Sequence, residues 1–189
     1  EKEVPSYVGG LSKDLTGVKV ALPVEFIGER VQQEVKDEVL RAVEQLKALG
    51  ATVEEVSLPT VEYASEVYYV ISSAEASSNL ARYDGIHYGR RATGAKDLTD
   101  LYRKSRQEGL GHEVKKRVLF GTYALSADYH ESVFVHAQRV RAKIVAEIDA
   151  VLARYDVIVG ATAATIANPF GHNGEDAEPL YMHDLLTIP

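Results

Sequence analysis

The sequence has 189 residues, of which 46% are hydrophobic, and this length and composition suit one folded domain with a sizeable core. Its formal net charge of -7 argues against a chain that holds nucleic acid by itself through phosphate neutralisation. The absence of cysteine excludes a disulfide framework, a thiolate nucleophile and a cysteine-based zinc site, and it fits a cytosolic protein.

Neither a membrane span nor a signal peptide is predicted. No run approaches about 18 consecutive apolar residues, and the opening EKEVPSYVGG lacks the charged and apolar regions of a signal peptide. The single methionine is Met182, and Pro189 directly follows an apolar stretch. We therefore expect both termini to be cuts within a longer protein.

The first predicted unit is a strand, a helix and a second strand. The run VKVAL predicts a strand over 18–22, and VEEVSL predicts a second strand over 53–58. Between them, Gly50 occupies the position of a helix C-cap behind apolar residues at helical spacing, namely Val31, Val35, Val39, Ala42, Val43, Leu46 and Leu49. Such a βαβ unit has parallel strands, which need helices as cover.

Three further helical regions and a last strand follow. Helices are predicted over 61–83, over 98–109 behind Asp97 as cap, and over 113–155, where Gly121 and the small residues at 126–128 should bend or divide the helix. The apolar run VIVG predicts a buried strand over 157–160, and Gly, Pro and Asn predict a loop over 167–179. The pattern predicts an α/β fold.

One helical stretch, SSAEASSNLARYDG at 72–85, is rich in small and hydroxyl side chains. Small residues allow another backbone to come close, so we interpret this face as a tight packing surface. A catalytic role for its serines needs a base to activate the hydroxyl, and no base lies nearby in the sequence.

Other searches for a catalytic or metal site yield no candidate. The six histidines form no HxxxH or HxH pair, so no metal site is predicted; they are His87, His112, His130, His136, His172 and His183. The sequence also lacks a Gly-x-Ser-x-Gly elbow, a P-loop and a GxGxxG motif. No catalytic nucleophile is therefore assigned to this chain.

Arg117 and Asp184 each lie beside apolar residues, and two interpretations are open. Both side chains can reach solvent or pair within the scaffold, as such residues commonly do. Alternatively, the guanidinium and the carboxylate face one cleft and bind the two charged ends of an amino acid.

Five blocks of the sequence carry a family resemblance, and together they span nearly the whole chain. They are YYVISSAEASSNLARYDGIHYG, SRQEGLGHEVKKRVLFGTYALSADYH, AQRVRAKI, YDVIVGATAAT and EPLYMHDLLTIP. In this order they resemble the amidase signature family, in particular the C-terminal half of the A subunits of its tRNA-dependent amidotransferases. The resemblance implies an α/β/α sandwich with a mixed sheet covered by helices, in which residues 1–189 form a single domain that is a fragment of a larger amidase domain.

The resemblance also implies a chemistry that this chain would share with other parts of its protein. The family hydrolyses the side-chain amide of glutamine with a Ser-cis-Ser-Lys triad, which would lie before Glu1, so the chain alone is expected to be inactive. Ammonia passes to the B subunit, which uses ATP and Mg²⁺ to convert Glu-tRNA(Gln), or Asp-tRNA(Asn), and contacts most of the tRNA. The C subunit completes a cytoplasmic heterotrimer, and this chain itself has no cofactor and no membrane contact.

Three substrate-binding residues are implied by the resemblance. Arg117 would hold the α-carboxylate of glutamine, Asp184 its α-ammonium, and Tyr68 would add a hydrogen bond. The sequence departs from the family at 160–168, where lost prolines should loosen a loop. Two rival hypotheses are another amidase-signature hydrolase acting on a different small amide, and a non-catalytic α/β binding module.

Overall fold

The computed structural model describes residues 4–9, 11, 14–167, 169–170, 184 and 186–189. Within these residues lie three strands, β1 (Lys19–Pro23), β2 (Thr52–Val56) and β3 (Val157–Ile158), and five α-helices, α1 (Gln33–Ala48), α2 (Ala64–Asn79), α3 (Leu98–Gly109), α4 (His112–Ala124) and α5 (His136–Leu152). The chain therefore has the predicted α/β fold. The predicted loop over 167–179 lies largely outside the described residues.

The chain divides into two compact units. The first unit comprises Glu1–Ser65 with Lys143–Pro189, and the second comprises Glu66–Ala142. Compact units of this kind can belong to one domain, so the expectation of a single domain stays a prediction.

The sheet of the first unit has the order β2-β1-β3, and both pairings are parallel. Lys19 pairs with Thr52 and Pro23 with Val56, so β1 and β2 match along their whole length. The prediction of parallel neighbours joined through a helix is confirmed. The last strand is shorter than predicted, because it pairs only with Val20 and Ala21.

Burial follows the position of each strand. The central strand β1 contributes Val20, Ala21 and Leu22 to the core, and each is at most 3% exposed. The edge strand β2 leaves Glu54 and Glu55 exposed, and such charges discourage further strand pairing. The continuous apolar run and the mixed run in the sequence thus report the central and edge positions.

The loop after β3 is held by α1 and the residue before it. The main-chain N–H of Gln32 donates to the carbonyl of Ala164 at 2.8 Å, and its side-chain oxygen accepts from the N–H of Ile166 at 3.0 Å. Ala161 and Ala164 pack with Val31 in a buried cluster. These contacts fix residues of the segment that lacks the family's prolines, and greater looseness there stays a prediction.

The second unit is built from helices. Asp97 caps α3 as predicted, since its carboxylate accepts the N–H of Asp100 at 2.8 Å. The predicted helix over 61–83 is α2 flanked by short 3₁₀ turns at Pro59–Tyr63 and Leu80–Arg82. The predicted helix over 113–155 is divided after Ala124 and resumes as a π-helical turn, His130–Val135, that leads into α5.

The position of Gly121 differs from its predicted role. Gly121 lies inside α4 and is buried, so it does not mark the break, which falls at 125–129. Its reason is packing, described below. Among the described residues, no helix has the length and apolar content needed to cross a bilayer.

Candidate functional site

Arg117 on α4 lies against two tyrosines of α2. Its guanidinium carbon is 5.8 Å from the ring centroid of Tyr68 and 5.9 Å from that of Tyr69, which are cation–π distances. One terminal nitrogen, Nη1, is 3.5 Å from the Tyr68 hydroxyl, at the limit of a hydrogen bond. The structure therefore brings together two of the three substrate-binding residues predicted from the sequence.

The other edge of the guanidinium is held by Glu113. Arg117 Nε donates to Glu113 Oε1 at 3.2 Å, one helical turn away on the same face of α4. The hydrogen bonds with Tyr68 and with Glu113 raise the pKa of Arg117 above its ordinary value. The Arg117 side chain is 27% exposed, so it is partly desolvated yet open to a ligand.

Close packing of α2 against α4 sets this geometry. A side chain at Gly121 would meet the main-chain carbonyl of Ser73, which is fully buried. Nearby, the hydroxyls of Ser77 and Thr122 share a hydrogen bond of 2.9 Å. The small residues of the SSAEASS stretch thus serve packing, as predicted, and they bring the helix that bears Tyr68 up to the helix that bears Arg117.

The serines of α2 do not form a catalytic pair in the described residues. The hydroxyls of Ser72 and Ser73 are buried and have no hydrogen-bond partner there, so no base activates them. Across the same part of the chain, no three His, Asp or Glu side chains cluster as a metal ion would require. His172 and His183 lie outside the described residues.

Asp184, the third predicted residue, belongs to the first unit. Its main-chain carbonyl accepts the N–H groups of Thr187 at 3.0 Å and Ile188 at 3.2 Å, which forms a tight turn. Leu186 in that turn packs against the cluster of Val31, Ala161 and Ala164. Asp184 is exposed, and its carboxylate makes no hydrogen bond or ion pair with another described residue.

A cavity of about 360 Å³ lies in the same unit, beyond the ends of β1 and β2. Its volume suits a small ligand, and the carboxyl ends of parallel strands are the usual place for one. Three carboxylates and one guanidinium line it, together with five other residues; the full lining is Glu25, Phe26, Gly28, Glu29, Arg30, Val31, Val61, Glu62 and Leu186. This balance favours a cationic group over an anionic one.

The sequence analysis missed several of these residues. Glu113 could have been found, because an acidic residue four positions before an arginine on a helix signals an ion pair. Glu25, Glu29 and Glu62 could have been suspected only from their place after two strands of a parallel sheet. Tyr69 stands beside Tyr68 in YYVI, and the sequence has no signal that both rings face one arginine.

Comparison with known proteins gives one consistent family. The whole chain, residues 1–189, matches the amidase family. It is 47% identical over 189 residues to the A subunit of the glutamyl-tRNA(Gln) amidotransferase of Streptococcus sanguinis, covering 100% of this chain and 39% of the relative. The protein of the same name from a Geobacillus strain is 48% identical over 187 residues, 99% of this chain and 38% of the relative. The chain thus spans about two fifths of the length of these relatives.

Solved structures agree. The crystal structure of the A subunit of the Thermotoga maritima glutamyl-tRNA(Gln) amidotransferase has a TM-score of 0.64 and 33% identity, and the match covers 94% of this chain and 33% of the other. A bacterial aryl acylamidase of the amidase signature family also has a TM-score of 0.64, at 21% identity, covering 95% of this chain and 36% of the other. The second similarity bears on the fold alone.

Proposed function

This chain belongs to the amidase family, and we propose that it is the glutamine-recognising part of the glutaminase subunit of a tRNA-dependent amidotransferase. The observation that carries the proposal is the 47% identity, along the whole of this chain, to a protein named as such a subunit. In the proposed reaction, water hydrolyses the side-chain amide of glutamine to give glutamate and ammonia. A Ser-cis-Ser-Lys triad in another part of the protein performs the chemistry.

The role of Arg117 in this proposal is to bind the α-carboxylate of glutamine. Its Nε edge is taken by Glu113, so the two terminal nitrogens remain for a bidentate pair with a carboxylate. Tyr68 stands beside one of them and can add a hydrogen bond to the ligand. Partial burial strengthens the pair, because fewer water molecules compete with the ligand.

Asp184 completes the proposed recognition by pairing with the α-ammonium group. Its exposed carboxylate meets no competing cation among the described residues. The acidic cavity in the same unit supports a preference for positive charge there. A substrate with both charges requires both residues, whereas a simple amide requires neither.

The proposed assembly rests on the similarity to A subunits of amidotransferases. We propose that the B and C subunits complete a cytoplasmic heterotrimer, that the B subunit uses ATP and Mg²⁺, and that it makes most of the contacts with tRNA. Ammonia released from glutamine would pass to the B subunit and convert Glu-tRNA(Gln) to Gln-tRNA(Gln).

The 189-residue chain alone is expected to release no ammonia from glutamine, because the proposed nucleophile and oxyanion hole lie elsewhere in the protein. The test is a glutaminase assay on this chain and on a protein that continues it to the length of its relatives. The longer protein should be active and the chain should match the blank. Ammonia release by the chain, abolished when Ser72 or Ser73 is replaced, would place the catalytic centre here and contradict the proposal.

Glu113 is expected to act by orienting Arg117 rather than by its charge. Glu113→Ala should raise KM for glutamine roughly 2- to 5-fold with little change in kcat, since an exposed ion pair contributes up to about 1 kcal/mol. Glu113→Gln keeps an oxygen that accepts from Arg117 Nε, so its KM should stay within about twofold of the wild type. Equal effects of the two variants would contradict an orienting role.

A further inference from the structure

The loop at residues 82–91, with the sequence RYDGIHYGRR, is fixed from within by a buried carboxylate. Asp84 Oδ1 accepts the main-chain N–H groups of Ile86 at 2.8 Å and His87 at 2.9 Å, and Oδ2 lies 2.9 Å from His87 Nδ1. These contacts, led by the one with the His87 ring, hold the pKa of Asp84 well below its ordinary value. The only carboxylate of this loop is therefore turned inward and already engaged.

Helix α3 anchors the same loop from behind. Gly85 has a positive φ of 80° and packs against Ser105, whose hydroxyl accepts the N–H of Ala92 at 3.0 Å. Arg106 Nη1 donates to the carbonyls of Leu80 at 2.7 Å and Tyr83 at 3.1 Å. The 82–91 loop is thus a shaped surface, and ordering it on binding costs little entropy.

The side chains on the outer surface of this loop are of a particular kind. Apart from Gly89, the exposed residues are Arg82, Tyr83, Ile86, His87, Tyr88, Arg90 and Arg91. The rings of Tyr83 and Tyr88 lie 6.2 Å apart. Arginine and tyrosine dominate, and lysine is absent from the loop. Protein–protein interfaces are enriched in arginine and aromatic residues and depleted in lysine and acidic residues, and their energetic centres favour tyrosine and arginine.

Charge in this region opposes that of the whole chain. Residues Glu66–Ala142 contain 12 Lys and Arg against 9 Asp and Glu, a net charge of +3, within a chain of net charge -7. Arg90 pairs with Glu108 at 3.3 Å, but Arg82 and Arg91 form no ion pair with any described residue. Two guanidinium groups are therefore available to carboxylates on a partner.

We propose that the 82–91 loop is a docking surface for an acidic segment of another protein subunit, which rests on the proposed function, since that function requires partner subunits. Arginines and tyrosines on a pre-ordered loop would bind carboxylates and apolar side chains at once. RNA is the less favoured partner, because the loop lacks lysine and the chain's net negative charge repels a polyanion at long range.

The test compares Arg91→Glu and Tyr88→Ala in the full-length protein with its partner subunits. Arg141→Glu is the matched control, since Arg141 is also exposed, belongs to the same unit and forms no ion pair with a described residue. Each loop variant should raise the Kd of subunit association by roughly 10-fold or more, and the effect of Arg91→Glu should shrink as salt increases. The control should leave Kd unchanged, and circular dichroism should show all three variants folded.

Two outcomes would overturn the inference. In one, association is unchanged in both loop variants. In the other, association is intact but KM for the aminoacyl-tRNA rises in ammonia-driven transamidation, which would make the loop an RNA contact. Failure here is separable from failure of the proposed function, because that function is tested by replacing Arg117 and measuring glutamine kinetics, and subunit association does not enter that comparison.

Discussion

Replacing Arg117 by alanine in the full-length amidotransferase is expected to lower kcat/KM for glutamine by about 30- to 700-fold. This corresponds to roughly 2–4 kcal/mol, the range for leaving one member of a buried, charged hydrogen-bonded pair without its partner. Here the stranded group is the α-carboxylate of the ligand. Ammonium salt supplied directly bypasses glutamine binding, so ammonia-driven transamidation should keep its rate.

Two companion variants sharpen this test. Asp184→Asn should also weaken glutamine use, by a comparable or smaller amount, because the amide keeps a hydrogen-bond acceptor but loses the charge that attracts an ammonium group. Lys116→Ala is the control, since Lys116 neighbours Arg117 and its Nζ lies 4.0 Å from the same Glu113 carboxylate. It should leave kcat/KM unchanged.

The pattern of losses decides between the hypotheses. Because glutamine binds before the chemistry, most of the loss in the Arg117 and Asp184 variants should appear in KM. Equal loss with glutamine and with ammonium salt in a folded protein would make both residues part of the scaffold. Unchanged glutamine kinetics would instead favour a hydrolase of a different small amide.

The part of the fold that the sequence predicts best is the βαβ unit. The strand β1, the amphipathic helix α1 and the glycine that ends it each have a local signal, and Gly50 indeed has a φ of 102°. The short length of β3 could not be predicted, because it depends on how many residues of β1 remain for pairing on that side. Pairing partners are a property of the assembled sheet and not of the strand sequence.

The candidate site was less predictable from residue patterns. Tyr68 and Arg117 are 49 positions apart, and no motif links them, so their contact follows from the packing of α2 on α4. The family resemblance named both residues, whereas composition and spacing left Arg117 open to an ordinary surface role. The whole-chain charge was similarly uninformative about the 82–91 loop, because it averages over two units of opposite sign.

The residue that fixes this packing is Gly121, and its replacement by alanine is expected to destabilise the protein by about 3 kcal/mol. Alanine normally stabilises a helix interior relative to glycine by roughly 0.5–1 kcal/mol, so the expected change has the opposite sign. The reason is that the new Cβ would meet the main-chain carbonyl of Ser73 and the side chain of Ser77. A backbone cannot step aside as a flexible side chain does, which puts the cost at the upper end of overpacking.

Gly109→Ala is the matched control for this prediction, because a Cβ at Gly109 would make only an ordinary contact of 3.6 Å with Arg90. That variant should be neutral or stabilising by up to about 1 kcal/mol, as expected for a compatible helical glycine. Urea unfolding followed by circular dichroism measures both changes. If Gly121→Ala proved as stable as Gly109→Ala, α2 and α4 would not be in tight contact, and the geometry that sets Tyr68 against Arg117 would lose its cause. If Gly121→Ala is destabilised and also loses glutamine use while ammonia use survives, then one contact between backbones supports both the fold of this unit and the orientation of the residue proposed to hold glutamine.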